Sequence, residues 1–433
     1  MKYYCIGIKG AGMSTLAQIL YDLGNDVVGY DDEVNYKYTQ KGLDERNIKI
    51  YNKDNLFDIS SDYIVTYSMA FSEDHSEIKR VKDIGCQIKK YNEIMADVIS
   101  LFKTIGVSGT HGKTTTSSII KHILENTVGC NYFIGSGLGN VNKDNEYYVV
   151  ESDEFNKHFA IYHPMYSIIT NIEEEHMECY KDLDDIINTF EIFSNNTKDF
   201  VIANGDNESV RKIKFNKVYY YGQNDNNDYI IKDIKLESDG SYFKLYENKK
   251  LIDEFFIPLY GIHMVYNSVS AIIMCLKINI NISDIKKYLK TFSNAKRRFE
   301  EEFIKDTVII DDYAHHPTEI KSTIEAVRQK YNDRKIVVVF RPNTYSRIKD
   351  FKDEFISSLK LADKVYLTEV LSNREKSEDY PNISSKSIGD NIDNVGYVEE
   401  DTINLLKDEI NNVVVFMGCA DNSHLIEGFK KLI

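Results

Sequence analysis

The heptapeptide Gly109-Thr110-His111-Gly112-Lys113-Thr114-Thr115 brings together residue types that handle phosphate. Glycines let a backbone curl until several N–H groups converge on one anion, and a following helix adds the positive potential of its N-terminus. In that setting Lys113 would neutralise the terminal phosphates of a polyphosphate, and the Thr114 hydroxyl could reach a hard divalent cation. The register departs from the strict G-x-x-x-x-G-K-[ST] form, because position 107 is Val and the preceding glycine is Gly106. An ordinary glycine turn capping a helix is the alternative, and the placement of GKT between a strand and a helix weighs against it.

Two further polar groups follow apolar runs. Glu151-Ser152-Asp153-Glu154 comes directly after YYVV, and Thr170-Asn171-Ile172-Glu173-Glu174-Glu175-His176 after YSII. A carboxylate at a strand end beside a phosphate loop suits Mg²⁺, which takes oxygen ligands. Alone, such an acidic turn is commonly solvated and a single histidine is commonly structural. Three successive strand ends carrying GKT, a carboxylate and a carboxylate–histidine group point to a nucleotide–metal site.

Near the N-terminus, Gly7, Gly10 and Gly12 precede a helical pattern read from Met13, and Asp31-Asp32 end the next strand. That distance matches the ribose-binding acid of dinucleotide folds, although the spacing is not G-x-G-x-x-G, so the glycines indicate a phosphate-bearing nucleotide in general. In the C-terminal third, Asp311-Asp312-Tyr313-Ala314-His315-His316-Pro317 and Arg341-Pro342-Asn343-Thr344-Tyr345-Ser346-Arg347 read as two adjacent strand ends. Together they supply a phenol, imidazoles and a guanidinium. Arg347 has the fork geometry that clamps a carboxylate. The competing reading of His-His-Pro is a helix start with proline at its first position.

These groups need strands to hold them. KYYCIGI, DVVGYDD, YIVTYS, FKTIGVS, EYYVVE, YSIIT and DFVIAN alternate with helical patterns, and so do DTVIIDD, KIVVVF, DKVYLTEV and NVVVFMG. Such alternation means βαβ units and parallel sheets, with ligands beyond the carboxyl ends of the strands. Residues from about 226 to 257 alternate as antiparallel strands would. The expected class is therefore α/β.

Composition narrows the partners. The 53 basic against 68 acidic side chains give a formal charge of -15, which argues against nucleic acid or an anionic membrane surface as the main partner. The six cysteines are scattered without a CxxC pair, as in a reduced, cytoplasmic protein. No apolar run is long enough to span a bilayer, and the opening MKYYCIGIKGAG does not read as a signal peptide.

The motifs, in this order, resemble the Mur ligases. The resemblance covers nearly the whole chain: GIKGAGMSTLAQIL, GTHGKTTT, ESDEF with His158-Phe159 after it, TNIEEEHM, NGD at 204–206, Gly261-x-His263-x-x-x-Asn267, KRRFE, DDYAHHPTEI and the segment ending Tyr345-Ser346-Arg347. It is closest to the branch that joins L-alanine to UDP-N-acetylmuramate at the cost of ATP. The resemblance implies three domains: a Rossmann-like UDP-sugar domain over 1–100, a central P-loop ATPase domain over 101–294 with a parallel sheet plus a small antiparallel sheet, and a Rossmann-like closing domain over 295–433. It implies ATP at Gly109, Thr110, His111, Gly112, Lys113, Thr114 and Thr115, with His263 and Asn267 near the adenine and Arg298 and Asp312 meeting the nucleotide. Thr114 and Glu151 would hold one Mg²⁺ and His176 a second. Gly7, Gly10, Ala11, Gly12, Met13 and Ser14 would bind the UDP-sugar, and Tyr313, His315 and Arg347 the amino acid, with His315 a candidate base. Departures fall in the last domain: Thr344 stands where many members have Arg, Arg341 and Asn343 replace Gln and His, and Gly418-Cys419-Ala420-Asp421 replaces GAGD. They leave open a nucleotide-binding homologue that has lost ligation, or a ligase for another amino acid or a recycled substrate. An NAD-dependent oxidoreductase would rest on the N-terminal glycines alone and leave Lys113 unexplained.

Overall fold

The computed structural model describes residues 1–135, 137–372 and 375–433. Its strands form three sheets in an α/β, three-domain arrangement, as expected. The first contains β1 (Lys2–Ile6), β2 (Asp26–Tyr30), β3 (Lys49–Tyr51), β4 (Ile64–Tyr67) and β5 (Gln87–Ile88) in the order β3-β2-β1-β4-β5, every pair parallel. Chain order reverses at β1, so the glycine loop that follows β1 opens at the switch point where such sheets bind ligands. The helix after that loop begins at Ala11, two residues before the sequence-based start at Met13, and runs to Asp22.

The second sheet contains β6 (Lys103–Ser108), β7 (Cys130–Ile134), β8 (Leu138–Asn140), β9 (Tyr147–Glu151), β10 (Tyr166–Ile169), β11 (Phe200–Asn204) and β12 (Val218–Gly222), ordered β12-β11-β10-β6-β9-β7-β8. All neighbours are parallel except β7 and β8, an antiparallel pair at the edge. Three further strands continue this sheet past β12 in the order β15-β14-β13, so the small antiparallel sheet expected beside it is instead its extension: β13 (Tyr229–Glu237), which pairs parallel with β12, β14 (Gly240–Glu247) and β15 (Lys250–Ile257). The two residues between β14 and β15, Asn248 and Lys249, both have positive φ (48° and 67°). That is the twist a two-residue hairpin turn requires.

The third sheet is ordered β16-β17-β21-β18-β19-β20, from β16 (Glu300–Ile304), β17 (Thr307–Asp312), β18 (Ile336–Phe340), β19 (Lys364–Leu367), β20 (Val395–Tyr397) and β21 (Val413–Met417). Only edge strand β16 runs antiparallel. Strands β18 and β21 are buried at every residue, as the centre of a sheet covered on both faces must be.

By packing, the chain forms two compact units: Met1–Lys232 with Leu245–Asp253 and Tyr266–Leu289, and Asp233–Lys244 with Glu254–Val265 and Lys290–Ile433. In the first unit one apolar core runs from Tyr3, Leu16 and Ile94 through Phe133 and Tyr148 to Phe190 and Val201. Gly139 lies so close to the helix Ala11–Asp22 that a Cβ would collide with Thr15. The first hundred residues therefore do not bury their apolar face by themselves. In the second unit, separate cores cover the two faces of the third sheet. Among the described residues no helix is long and apolar enough to cross a membrane, and all six cysteines are free.

Candidate functional site

Strand β6 lies between β10 and β9, with Ser108 opposite Ile169 and Val107 opposite Glu151. The three polar groups that follow these strands therefore meet at one sheet edge. The loop after β6 requires glycine twice. Gly109 (φ 137°) would carry a Cβ into Thr170 and against the Asn171 backbone, and Gly112 (φ 83°) into the Asn267 side chain. The segment just after β10 then staples the loop in place. Thr110 N–H donates to the Asn171 carbonyl (3.0 Å) and His111 N–H to Asn171 Oδ1 (2.8 Å). Thr170 Oγ1 (2.6 Å) and Asn171 Nδ2 (3.0 Å) donate to the His111 carbonyl, and Glu173 N–H donates to Thr110 Oγ1 (2.9 Å).

Gly112 caps the helix Lys113–Glu125 without a side-chain hydrogen bond, and the first turn holds no acid. The first N–H groups of a helix have no intrahelical acceptor, so this end presents donors and a positive dipole. Thr114 Oγ1 donates to Glu151 Oε1 (3.1 Å), and Gly135 N–H donates to Glu151 Oε2 (2.8 Å). Burial pushes the Glu151 carboxyl up, with Asp153 adding to it and Lys113 opposing. Asn267, expected near a base, stands against the phosphate loop; His263 lies one turn earlier on the same helix, Ile262–Lys277.

Lys113 does not pair with Glu151. Its Nζ donates to both carboxylate oxygens of Glu154 (2.8 Å each), to the Gly109 carbonyl (2.6 Å) and to the Thr110 carbonyl (3.1 Å). Burial alone would lower the Lys113 pKa, but the charges of Glu154, Asp153 and Glu151 outweigh it and hold the amine charged. Burial pushes the Glu154 carboxyl up as well, but with the charged amine 2.8 Å from both of its oxygens the two groups stand as an ion pair. Glu154 is thus a site residue that the sequence reading passed over in favour of Glu151. The only signal was its place in the ESDE tetrapeptide.

His176 Nε2 lies 4.0 Å from Glu154 Oε1, and Asp153, Glu154 and His176 bring one ligand atom each within 4.8 Å of one another. Burial lowers the His176 pKa, only partly offset by Glu175 and Asp153. The ring is therefore neutral at pH 7, as a metal ligand must be. His176, Asn156 and Lys157 all have positive φ (57°, 52° and 58°), a conformation that side chains rarely adopt and that gathers at functional sites.

At the N-terminal glycine loop, Gly7 (φ 77°) donates to the Tyr30 carbonyl (2.7 Å). Asp31, expected as a ribose acid, is buried and accepts from the backbone of Lys9 (2.8 Å) and Glu33 (3.0 Å), so it holds the loop's shape. Asp32 lies against Tyr30 and His75 (3.0 Å) on a cavity of about 530 Å³ lined by Asp31, Asp32, Glu33, Ala70, Phe71, Ser72 and His75. The loop, Gly10, Ala11, Gly12, Met13 and Ser14 all precede or open the helix Ala11–Asp22, with Ser14 Oγ donating to the Thr39 carbonyl (2.7 Å).

In the second unit, β17 and β18 are not neighbours: β21 runs between them. The expected adjacency of the two strand ends is corrected accordingly, because the all-apolar β21 takes the most buried position and its own end, Gly418–Asp421, joins the cluster. The departures noted in the sequence lock together there. Arg341 Nη1 donates to the Asp421 carbonyl (2.8 Å), and Arg297 donates to the carbonyls of Gly418 (2.6 Å), Cys419 (3.2 Å) and Ala420 (2.7 Å) and to Asp311 (3.1 Å). Asn343 Oδ1 accepts from Arg347 (2.9 Å). Arg297 is thereby committed to structure. Both arginines lie over the Tyr313 ring (5.4 Å for Arg297, 4.9 Å for Arg298), and Arg298 has Glu319 at 3.8 Å.

Asp312 is buried, and its own unit uses both carboxylate oxygens. Oδ2 accepts from Phe299 N–H (2.8 Å), and Oδ1 from Ala314 N–H (2.9 Å) and Thr323 Oγ1 (3.1 Å). Three bonds thus fix the carboxylate from within its own unit, and the direct contact with nucleotide expected from the sequence would have to use the remaining acceptor site on Oδ2. His315 Nδ1 is 3.1 Å from the Tyr313 carbonyl and 3.0 Å from Glu319 Oε2. His316 caps the helix Pro317–Lys330, with proline at the first turn, so the helix-start reading of His-His-Pro holds for His316.

Three family descriptions match the chain in sequence: "Mur ligase family, catalytic domain" over residues 2–103, "Mur ligase middle domain" over 107–275, and "Mur ligase, glutamate ligase domain" over 297–420. A UDP-N-acetylmuramate–L-alanine ligase of Lactiplantibacillus plantarum is 42% identical over 99% of this chain and 97% of its own length. One of Leuconostoc mesenteroides is 40% identical over 100% and 98%. The solved UDP-N-acetylmuramate–alanine ligase MurC of Thermotoga maritima superposes with a TM-score of 0.79 at 25% identity, covering 100% of this chain and 98% of that one.

Proposed function

The chain belongs to the Mur ligase family, and on that footing we propose that it joins L-alanine to the lactyl carboxylate of UDP-N-acetylmuramate, converting ATP to ADP and phosphate. The observation that carries this reading is the meeting of the phosphate loop, Glu151 and His176 at three neighbouring strand ends, in a chain matched along its length by relatives with that activity.

The loop N–H groups, the free N-terminus of the helix Lys113–Glu125 and Lys113 bind the ATP phosphates and neutralise the charge that develops on the transferring group. A lactyl carboxylate oxygen attacks the γ-phosphorus, the bond to the β-phosphate oxygen breaks, and ADP leaves an acyl phosphate. The amine of alanine then attacks the acyl carbon, the C–O bond to phosphate breaks, and the amine proton passes to a base. His315 is the candidate for that proton, and Arg347 with Tyr313 for holding the amino acid. The loop Gly7–Ser14 and the helix it opens bind the UDP diphosphate.

The donor set fits Mg²⁺. Thr114 and Glu151 offer hard oxygens 3.1 Å apart, and the neutral His176 stands beside Asp153 and Glu154, which suits two ions, one at each group. Bound there, Mg²⁺ would supply charge neutralisation at the phosphate oxygens. Within the chain we assign 1–100 to the UDP-sugar, 101–294 to ATP and 295–433 to the amino acid, and place the protein in the cytoplasm. Phosphate release with UDP-N-acetylmuramate across a panel of amino acids tests the reading. Release specific to alanine, and abolished in Lys113→Ala, is expected; release independent of the sugar nucleotide would overturn it.

A further inference from the structure

The amine of the phosphate loop is already saturated by the chain's own acceptors. Lys113 has three N–H donors and four acceptors around them, the two Glu154 oxygens and the carbonyls of Gly109 and Thr110. A phosphate oxygen can reach this amine only if one contact yields. The two carbonyls belong to a loop that Thr170 and Asn171, just after β10, hold at Thr110 and His111, so they stay. The Glu154 backbone is also held, because the Tyr180 hydroxyl donates to its carbonyl (2.5 Å). What remains free to turn is the Glu154 side chain.

Resting on the phosphate-site reading, we propose that Glu154 is a positioning residue for ATP: it is the resident anion of the Lys113 site, and nucleotide binding is an exchange of its carboxylate for a phosphate. The exchange has physical reasons on both sides. Without an anion, Lys113 would be a buried charge lacking a partner, which strongly destabilises a fold. With one, the loop keeps the shape that phosphate needs. The displaced carboxylate, only 3% exposed, does not reach water. It turns toward Asp153 and His176, the group that stands ready for a divalent cation. A cation there relieves the repulsion between the released carboxylate and the incoming phosphate. Glu154 therefore makes tight nucleotide binding conditional on the metal, and this is separate from being a ligand of it.

The test is titration of the full-length protein with ATP, once in EDTA and once in excess Mg²⁺, for wild type, Glu154→Gln and Glu154→Asp. Glu154→Gln removes the competing charge and keeps the shape. It should bind metal-free ATP roughly tenfold or more tightly than wild type, while the gap narrows or reverses in Mg²⁺. If Glu154→Gln does not fold, Glu154→Asp carries the test, since its shorter reach loosens the grip on Lys113 and should tighten metal-free ATP binding about two- to fivefold. Metal-free affinity that is unchanged or weaker in a folded variant overturns the proposal, and a loss confined to Mg²⁺ would make Glu154 a plain metal ligand. Wild type that fails to bind ATP even with Mg²⁺ would instead overturn the phosphate-site reading on which the proposal rests.

Discussion

Replacing Asp312 by Asn separates two tasks that the same residue could perform, meeting nucleotide or holding its own unit together. The side chain is buried and receives three hydrogen bonds, from Phe299 N–H, Ala314 N–H and the Thr323 hydroxyl. Asn can keep its oxygen toward Ala314 and Thr323, but its NH₂ then faces the Phe299 N–H donor to donor. One unsatisfied buried donor costs about 1–3 kcal/mol, and the two surviving bonds lose their charge assistance. Phe299 itself sits at φ 56°, a strained backbone position that this bond helps to fix. A loss of about 2–3 kcal/mol would lower the melting temperature of the unit by roughly 4–12 °C. Calorimetry on the full chain, paired with an ATP titration in Mg²⁺, reads both tasks. The expected result is a lower melting temperature with ATP affinity within about threefold of wild type. An unchanged melting temperature together with a large loss of ATP affinity would refute the positioning role and restore direct contact.

Glu151→Ala and His176→Ala should each raise the Mg²⁺ concentration for half-maximal activity, and initial rates across a Mg²⁺ series check this; unaltered curves in both would mean the metal lies elsewhere. Because burial lowers the His176 pKa, the wild-type Mg²⁺ requirement should not change through His176 between pH 7 and 8, and should climb only as acid protonates the ring. Arg347→Lys keeps the charge but not the fork, so the Michaelis constant for alanine should rise roughly ten- to a hundredfold while that for ATP holds. Equal rises for all substrates would argue against a clamp. Four donors, Tyr266 Oη, the Gln223 and Asn224 amides and Asn227 Nδ2, hold Asp206 below the ordinary carboxylate range in spite of its burial. Its folded pKa is depressed, so its stabilisation is complete above the ordinary value of 3.8 and is lost as pH falls through the folded one. Asp206→Asn should therefore be less stable at neutral pH and lose less on acidification, a comparison that denaturant melts at pH 7 and pH 3 can make.

The resemblance to the Mur ligases, the α/β class and the phosphate loop were all legible in the residues alone. They depend on neighbours in the chain: apolar runs that alternate with helical spacing, glycines at Gly109 and Gly112 where φ is positive, and Pro317 opening a helix. Such preferences act over a few residues and survive in a string of letters. Partnerships across the sheet do not. Nothing near Lys113 in sequence distinguishes Glu151 from Glu154; the β10-β6-β9 order and the local path after β9 bring the second carboxylate, 41 residues away, onto the amine. The adjacent arginines Arg297 and Arg298 read as equivalent, yet one is spent on the carbonyls of residues 418–420 and the other faces Glu319. The strand ends of β17 and β18 looked adjacent because they are consecutive in the chain, and only the sheet placed β21 between them. The resemblance implies a domain over 1–100, but the core packs Phe133 and Tyr148 with its Leu16 and Ile94. Local rules specify which elements form. Which elements become neighbours is decided by the burial of all their apolar faces at once, and the chemistry of this site lies in those neighbour relations.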